Sequence, residues 1–241
     1  MSANLWNGAA EPCAFAELVA ELDPDAVATQ EMTPEQADAL ARVLPHGVLE
    51  PARDFTGMGI ALRHPAAVRR LALPCRDARI AEVRWESTAG ARVELELLNV
   101  HVVAPHAQPH PTAWGIRRGQ LRGLVRHLVA SPRRRRVLVG DLNATPLWPV
   151  YRRLVAHLSD AEVMAARRHG RAVRRTWGPW SGSPRLLRID HALVHGLAVE
   201  DFRVLRIAGG DHSAIVVDLA LPVVALDAPD ASPAQTVHAS A

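Results

Sequence analysis

Residues 133–154, RRRRVLVGDLNATPLWPVYRRL, decide how the chain reads. Four arginines give way to an apolar run of strand type, which ends on Asp141 and Asn143, two residues apart and just before Pro146. A helix around LWPVYRRLVAHL follows. A buried carboxylate without partners costs several kcal/mol, so a buried strand that ends on a carboxylate and an amide needs other polar groups around it. The rest of the sequence must supply them.

Outward from this stretch the chain alternates short apolar runs with a few amphipathic ones. Upstream, IRRGQLRGLVRHLV places Leu121, Leu124, Val125 and Leu128 at helical spacing, and RVELELLNVHV, ARIAEVRW and GMGIALR read as strands. Near the start, EPCAFAELVAEL carries Phe15, Leu18, Val19 and Leu22 on one helical face, and DPDAVATQE then reads as a turn and a strand ending at Gln30-Glu31. Thr33, Pro34 and Gln36 form a capping box that predicts a helix to about Val43. Downstream, LRIDHALVHG, VEDFRVLRIAG and SAIVVDLAL are strands. Strand groups separated by helices predict an α+β fold: a four-layer α/β/β/α sandwich of two mainly antiparallel sheets with helices outside. A doubly wound parallel sheet is the alternative, disfavoured by adjacent short strands and the lack of a Gly-rich phosphate loop. One domain over residues 1–221 is expected, followed by an Ala/Pro/Asp-rich tail, 222–241, expected to be disordered.

Composition narrows the classes. The formal net charge is +3 and every one of the 28 basic residues is arginine, which suits phosphate-bearing substrates but not a dedicated duplex binder. The Arg133–Arg136 run reads as a solvated loop, with contact to a polyanion as its functional alternative. No uncharged stretch approaches a membrane span, and the opening residues do not read as an export signal. Cys13 and Cys75 form no CxxC and are expected as buried, reduced thiols.

Five strand-like segments end on residues that are costly to bury: ANLWN with Asn4, TQE with Glu31, LLNVH with Asn99 and His101, VGDLN with Asp141 and Asn143, and AGGDHS with Asp211 and His212. RIDH adds Asp190. Each has a bland alternative. Glu31 can favour the positive end of the next helix, Asn143 can make an Asx turn, and Asp190 can pair with Arg188. Together they argue for one shared polar site. His101, His106 and His110 lack the helical or ribbon frame of a zinc site, and Trp177 and Trp180 suit either a cleft wall or the core.

The succession PDAVATQE, GMGIALRHP, LLNVH, VLVGDLNATP, TWGPW, RIDHALV and GGDHSAIVVDL resembles the endonuclease/exonuclease/phosphatase superfamily, the DNase I-like phosphoesterases, over almost the whole chain. The resemblance implies the sandwich already read from the pattern, and divalent-metal phosphoester hydrolysis. By position it implies that Glu31, Asn4 and Asp211 attend the metal and that Asp141 activates the attacking water. Asn143 holds phosphate or nucleophile, His212 faces the phosphate with Asp190 behind it, and His101 is a second phosphate-facing histidine. The first strand is short, with only Met1 to Ala3 ahead of Asn4, and Asn7 competes with Asn4 as the amide.

The expected function is therefore a Mg²⁺-dependent hydrolase, with Mn²⁺ as a substitute, acting as a phosphodiesterase or endonuclease-like enzyme. The alternatives are a phosphomonoesterase, a lipid phosphodiesterase, or a catalytically silent binding domain on the same fold. The expected partner is a phosphate ester, nucleic acid among the candidates, bound by a monomer. A cytoplasmic location is favoured for the chain as it stands, and export or anchoring if an N-terminal segment precedes it.

Overall fold

The structure is a computed structural model that describes residues 1–86, 92–107, 110–132 and 134–221, so the expectation for the 222–241 tail and for Arg133 lies outside the described residues. One six-stranded sheet runs Ala198–Arg206 (β11), Ser213–Ala220 (β12), Ser2–Asn4 (β1), Ala26–Gln30 (β2), Met58–Leu62 (β4) and His46–Glu50 (β3). The other runs Ala67–Leu71 (β5), Ala78–Glu86 (β6), Arg92–His101 (β7), Arg136–Asp141 (β8), Asp190–His195 (β10) and Ser159–Asp160 (β9). Both sheets are mixed but mainly antiparallel, with one parallel pair each, β1 beside β2 and β7 beside β8.

The strand period of two sorts the apolar residues into layers. On β8, Val137 and Val139 face the other sheet and join Ala28, Ile60, Ala192, Val194, Phe202 and Ile215 in the inter-sheet core. Leu138 faces outward with Leu98 and Leu193, where Leu124 and Leu128 of α3 (His110–Ala130) and Leu154 of α4 (Pro149–Leu154) cover them. On the far side Phe15 and Val19 of α1 (Pro12–Leu22) and Leu40 of α2 (Pro34–Ala41) cover Ala3, Val27 and Ala214. This is the four-layer sandwich, and the doubly wound alternative is excluded.

The capping box at Thr33 is present, with the Thr33 amide donating to Gln36 Oε1 at 2.9 Å. Helix α2 stops at Ala41, short of Val43, because the last turn tightens and the Val43 amide bonds back to Leu40. Two expectations are corrected. Both cysteines are exposed, Cys13 in the first turn of α1 and Cys75 in a surface turn. The arginine run is not simply a solvated loop: Arg136 is buried against Glu96, which also accepts from Arg134 and His127. Burial alone would raise Glu96, but those hydrogen bonds bring it down to about 2.

This topology gathers one edge of both sheets. The parallel pairs carry the ends of β1, β2, β7 and β8 to the same side as the beginnings of β10 and β12, which run antiparallel to β8 and β1. Close approach of β7 and β8 there requires Gly140, whose φ is 134° and where a Cβ would fall 2.0 Å from the Val100 carbonyl oxygen. That is the reason for a glycine immediately before Asp141.

Candidate active site

The inward-facing row of β8, Val137 and Val139, continues to Asp141, so the carboxylate projects between the sheets where the core gives way to polar groups. Register places His101 of β7 and Asp190 of β10 directly beside it. One step deeper, Asn99 ties the sheets together, donating to the Thr29 and Gly59 carbonyls at 2.8 Å and accepting from Gln30 at 2.6 Å. Asn99 is thus a clamp between sheets, and the polar cluster around Asp141 lies one layer above it.

Asp141 is 1% exposed and held by amides. Asn4 Nδ2 donates to it at 3.1 Å and to Glu31 Oε1 at 3.2 Å, while Asn4 Oδ1 accepts from the Trp6 amide. Asn4 is therefore the amide that bridges the carboxylates, and Asn7 is not. Asn143 adds its backbone amide at 2.7 Å and its Nδ2 at 3.0 Å, in a left-handed turn with φ 46°. Glu31 likewise sits at φ 54°, just past the end of β2, a strained placement typical of functional groups. Burial pushes Asp141 up to about 7, reinforced by the charges of Asp190 and Glu31 and opposed by His212. Burial also raises Glu31.

His212 enters from the other sheet. A Cβ at Gly209, φ 80°, would lie 2.1 Å from the Ala9 carbonyl oxygen, so the AGGDHS loop passes backbone against backbone before presenting Asp211 and His212. His212 Nδ1 lies 2.9 Å from Asp190 Oδ2, and Nε2 faces Asp141 at 3.9 Å. Burial would lower the imidazole, but Asp190, then Asp141 and Asp211, hold it up to about 10 and so protonated. Asp190 does not pair with Arg188, which bonds Asp160 at 2.8 Å instead.

Three groups in or behind the site, Thr176, Arg117 and Arg76, were not singled out as site residues from sequence, and a fourth, Trp177, was left between cleft wall and core. Thr176 Oγ1 accepts the amides of Ile189 and Asp190 at 3.2 Å and fixes the start of β10. Trp177 Nε1 donates to Asp211 Oδ2 at 3.0 Å, which decides its role in favour of the cleft. Arg117, 1% exposed and flanked by Trp114 and Trp148, donates to the carbonyls of Val103 and Asn143 and buttresses the Asn143 turn. Arg76 reaches in from the β5–β6 loop, its Nη1 2.8 Å from His101 Nε2. His101 is buried, 3.5 Å from Glu31 Oε1, and burial with Arg76 and His212 nearby holds it well below the usual histidine range, so it is neutral. A cleft of about 500 Å³ opens over Glu31, Arg76, His101, Asp141, Asp211 and His212.

The site fits a hard divalent cation. Its donors are carboxylate and amide oxygens, and Asp211 Oδ1 is buried with no hydrogen-bond partner among the described residues. Asp141, Asp190 and His212 bring one potential ligand atom each within 4.8 Å of one another. His212 in this group is already bound to Asp190 through Nδ1.

Comparison with known proteins bears on the fold and the family. No curated protein matches the chain. Among solved structures it is similar to an endonuclease/exonuclease/phosphatase family protein of Bacteroides thetaiotaomicron, at 17% identity over 89% of this chain and 90% of that one, TM-score 0.65. It is similar also to a mannosyl-6-phosphatase of the same species, at 17% identity over 89% and 92%, TM-score 0.65. A humanized D. rerio TDP2 matches at 17% identity over 91% and 97%, TM-score 0.63. At such identities these likenesses establish the DNase I-like fold. The endonuclease/exonuclease/phosphatase family profile matches residues 1–212, so the chain belongs to that family.

Proposed function

We propose that this protein is a Mg²⁺-dependent phosphoesterase, with Mn²⁺ as a substitute, that hydrolyses phosphodiesters as a monomer. The observation that carries the reading is a buried carboxylate, Asp141, oriented by two amides and facing a protonated histidine in an open cleft. Glu31 and Asp211 would hold the cation, with Asn4 orienting Glu31 through its Nδ2 rather than ligating. When bound, it supplies positive charge to the phosphoryl oxygens and helps position the leaving oxygen.

The chain's own residues supply the rest. Asp141 accepts a proton from the attacking water, and its burial holds its proton affinity close to neutral, where a general base is effective. Asn4 and Asn143 fix the rotamer of that carboxylate, and Asn143 is placed to hold the phosphate or the water. His212 donates from Nε2 to a phosphoryl oxygen while Nδ1 stays on Asp190, so the donor is charged and preorganised as negative charge builds. Asp190 is fixed in turn by Thr176. His101, neutral and packed against Glu31, adds a hydrogen-bonding wall to the cleft.

The test is hydrolysis of bis-p-nitrophenyl phosphate and p-nitrophenyl phosphate in Mg²⁺, Mn²⁺ or EDTA, for wild type beside Glu31→Ala. Metal-dependent diester cleavage that the variant loses supports the proposal. Preference for the monoester moves the substrate class to phosphomonoesters, and metal-independent cleavage contradicts the assignment.

A further inference from the structure

Arg76 lines the cleft, yet the reaction above gives it no task. The turn that presents it is strained: Cys75 has φ 70° and the Arg76 amide bonds back to the Pro74 carbonyl at 2.9 Å, a γ-turn of the rare positive-φ kind. The adjacent Asp77 forms no ion pair with it; its Oδ1 accepts the Leu73 amide at 3.1 Å and closes the turn. Among the described residues Arg76 belongs to no ion pair, and its Nε is buried with no hydrogen-bond partner. The side chain against its Nη1 is the His101 ring, with Nε2 at 2.8 Å and Nδ1 at 3.0 Å, and not a carboxylate.

Glu31 and Asp54 lie near enough to feel the charge of Arg76, but neither closes an ion pair with it, so the guanidinium keeps an open fork that a bound anion would fill. That planar fork matches two oxygens of a phosphate. Of the chain's 28 arginines, Arg76 is the one that lines this cleft among the described residues. We infer that Arg76 is a substrate-contacting residue that binds the non-bridging oxygens of the ester phosphate, giving the cleft a hydrogen-bond donor besides His212 Nε2. The inference rests on the cleft being a phosphoester site.

The experiment is calorimetric titration of inorganic phosphate into the Mg²⁺-loaded wild type, Arg76→Ala and Arg76→Lys proteins, with thermal melting of each. Loss of hydrogen bonds to a charged group implies phosphate binding weaker by roughly 10- to 100-fold in Arg76→Ala. Partial recovery is expected in Arg76→Lys, which keeps the charge but not the fork, with melting unchanged in both. If Arg76→Ala does not fold, Arg76→Lys reads the same quantity through the lost fork. Phosphate affinity equal to wild type in the variants overturns the role of Arg76 and leaves the phosphoester reading intact. A wild type that binds no phosphate overturns both.

Discussion

At the scale of the residue, the pair His212–Asp190 sets how the site responds to pH. The imidazole is held at about 10 against an ordinary 6.5, so it keeps its proton throughout the neutral range. A raised folded pKa means that this stabilising charge is complete below about 6.5 and is lost as pH rises toward 10. Asp190→Asn removes the main supporting charge. Its pH–rate profile should turn down in the range of an unperturbed histidine, while the wild type holds its rate to higher pH; coincident alkaline limbs would count against the pairing. Asp141, Asn143, Asp190 and His212 were legible because costly polar groups recur at strand ends. Arg76 and Thr176 were not, because one loop arginine among 28 and one hydroxyl before a tryptophan carry no pattern until the chain folds.

At the scale of the element, Gly140 permits the parallel pair β7–β8 that puts His101 beside Asp141. An alanine there would press its Cβ onto the Val100 carbonyl at a φ of 134° that side chains avoid. Gly140→Ala should therefore lower unfolding free energy in urea by about 1–3 kcal/mol, the usual cost of such strain, and lose activity out of proportion. Unchanged denaturation would show that the strands have room to part. Strands β2, β7, β8 and β12 announced themselves as apolar runs. Edge strands β3 and β5, HGVLE and AVRRL, did not, because they are largely exposed and carry no alternation. The eight-residue helix Ala161–Arg168 was passed over although Asp160 caps it, accepting from the Val163 amide at 2.9 Å. A short, polar segment gives too little periodicity for the cap to be noticed.

At the scale of the whole molecule, the sandwich is anchored at the end away from the cleft by Glu96, which gathers Arg134 from the loop before β8, Arg136 from β8 and His127 from α3. Its carboxyl is lowered from 4.5 to about 2, so its contribution is complete above about 4.5 and is lost as pH falls toward 2. Glu96→Gln leaves Arg136 buried without its anion and should cost about 3–5 kcal/mol at neutral pH, a difference from wild type that shrinks in acid melts between those two values. A constant difference across that range would assign the stability to packing instead. The four-layer order was readable because strand groups and helices alternate along the chain. The Glu96 network was not, since Arg134 and Arg136 sit in a run whose composition reads as solvated surface. No helix of the described residues is long and apolar enough to cross a membrane.

The central claim is that Asp141 serves as the base for an attacking water in a cation-bearing cleft. Asp141→Asn keeps the side chain's size and the amide neighbours Asn4 and Asn143, so it changes the chemistry with little change in packing. The measurement is kcat for bis-p-nitrophenyl phosphate in saturating Mg²⁺, beside wild type, with melting curves of both. The expected result is a folded variant whose kcat is lower by roughly 10²- to 10⁴-fold, the usual contribution of a general base. A folded, Mg²⁺-loaded Asp141→Asn that turns over at the wild-type rate would contradict it.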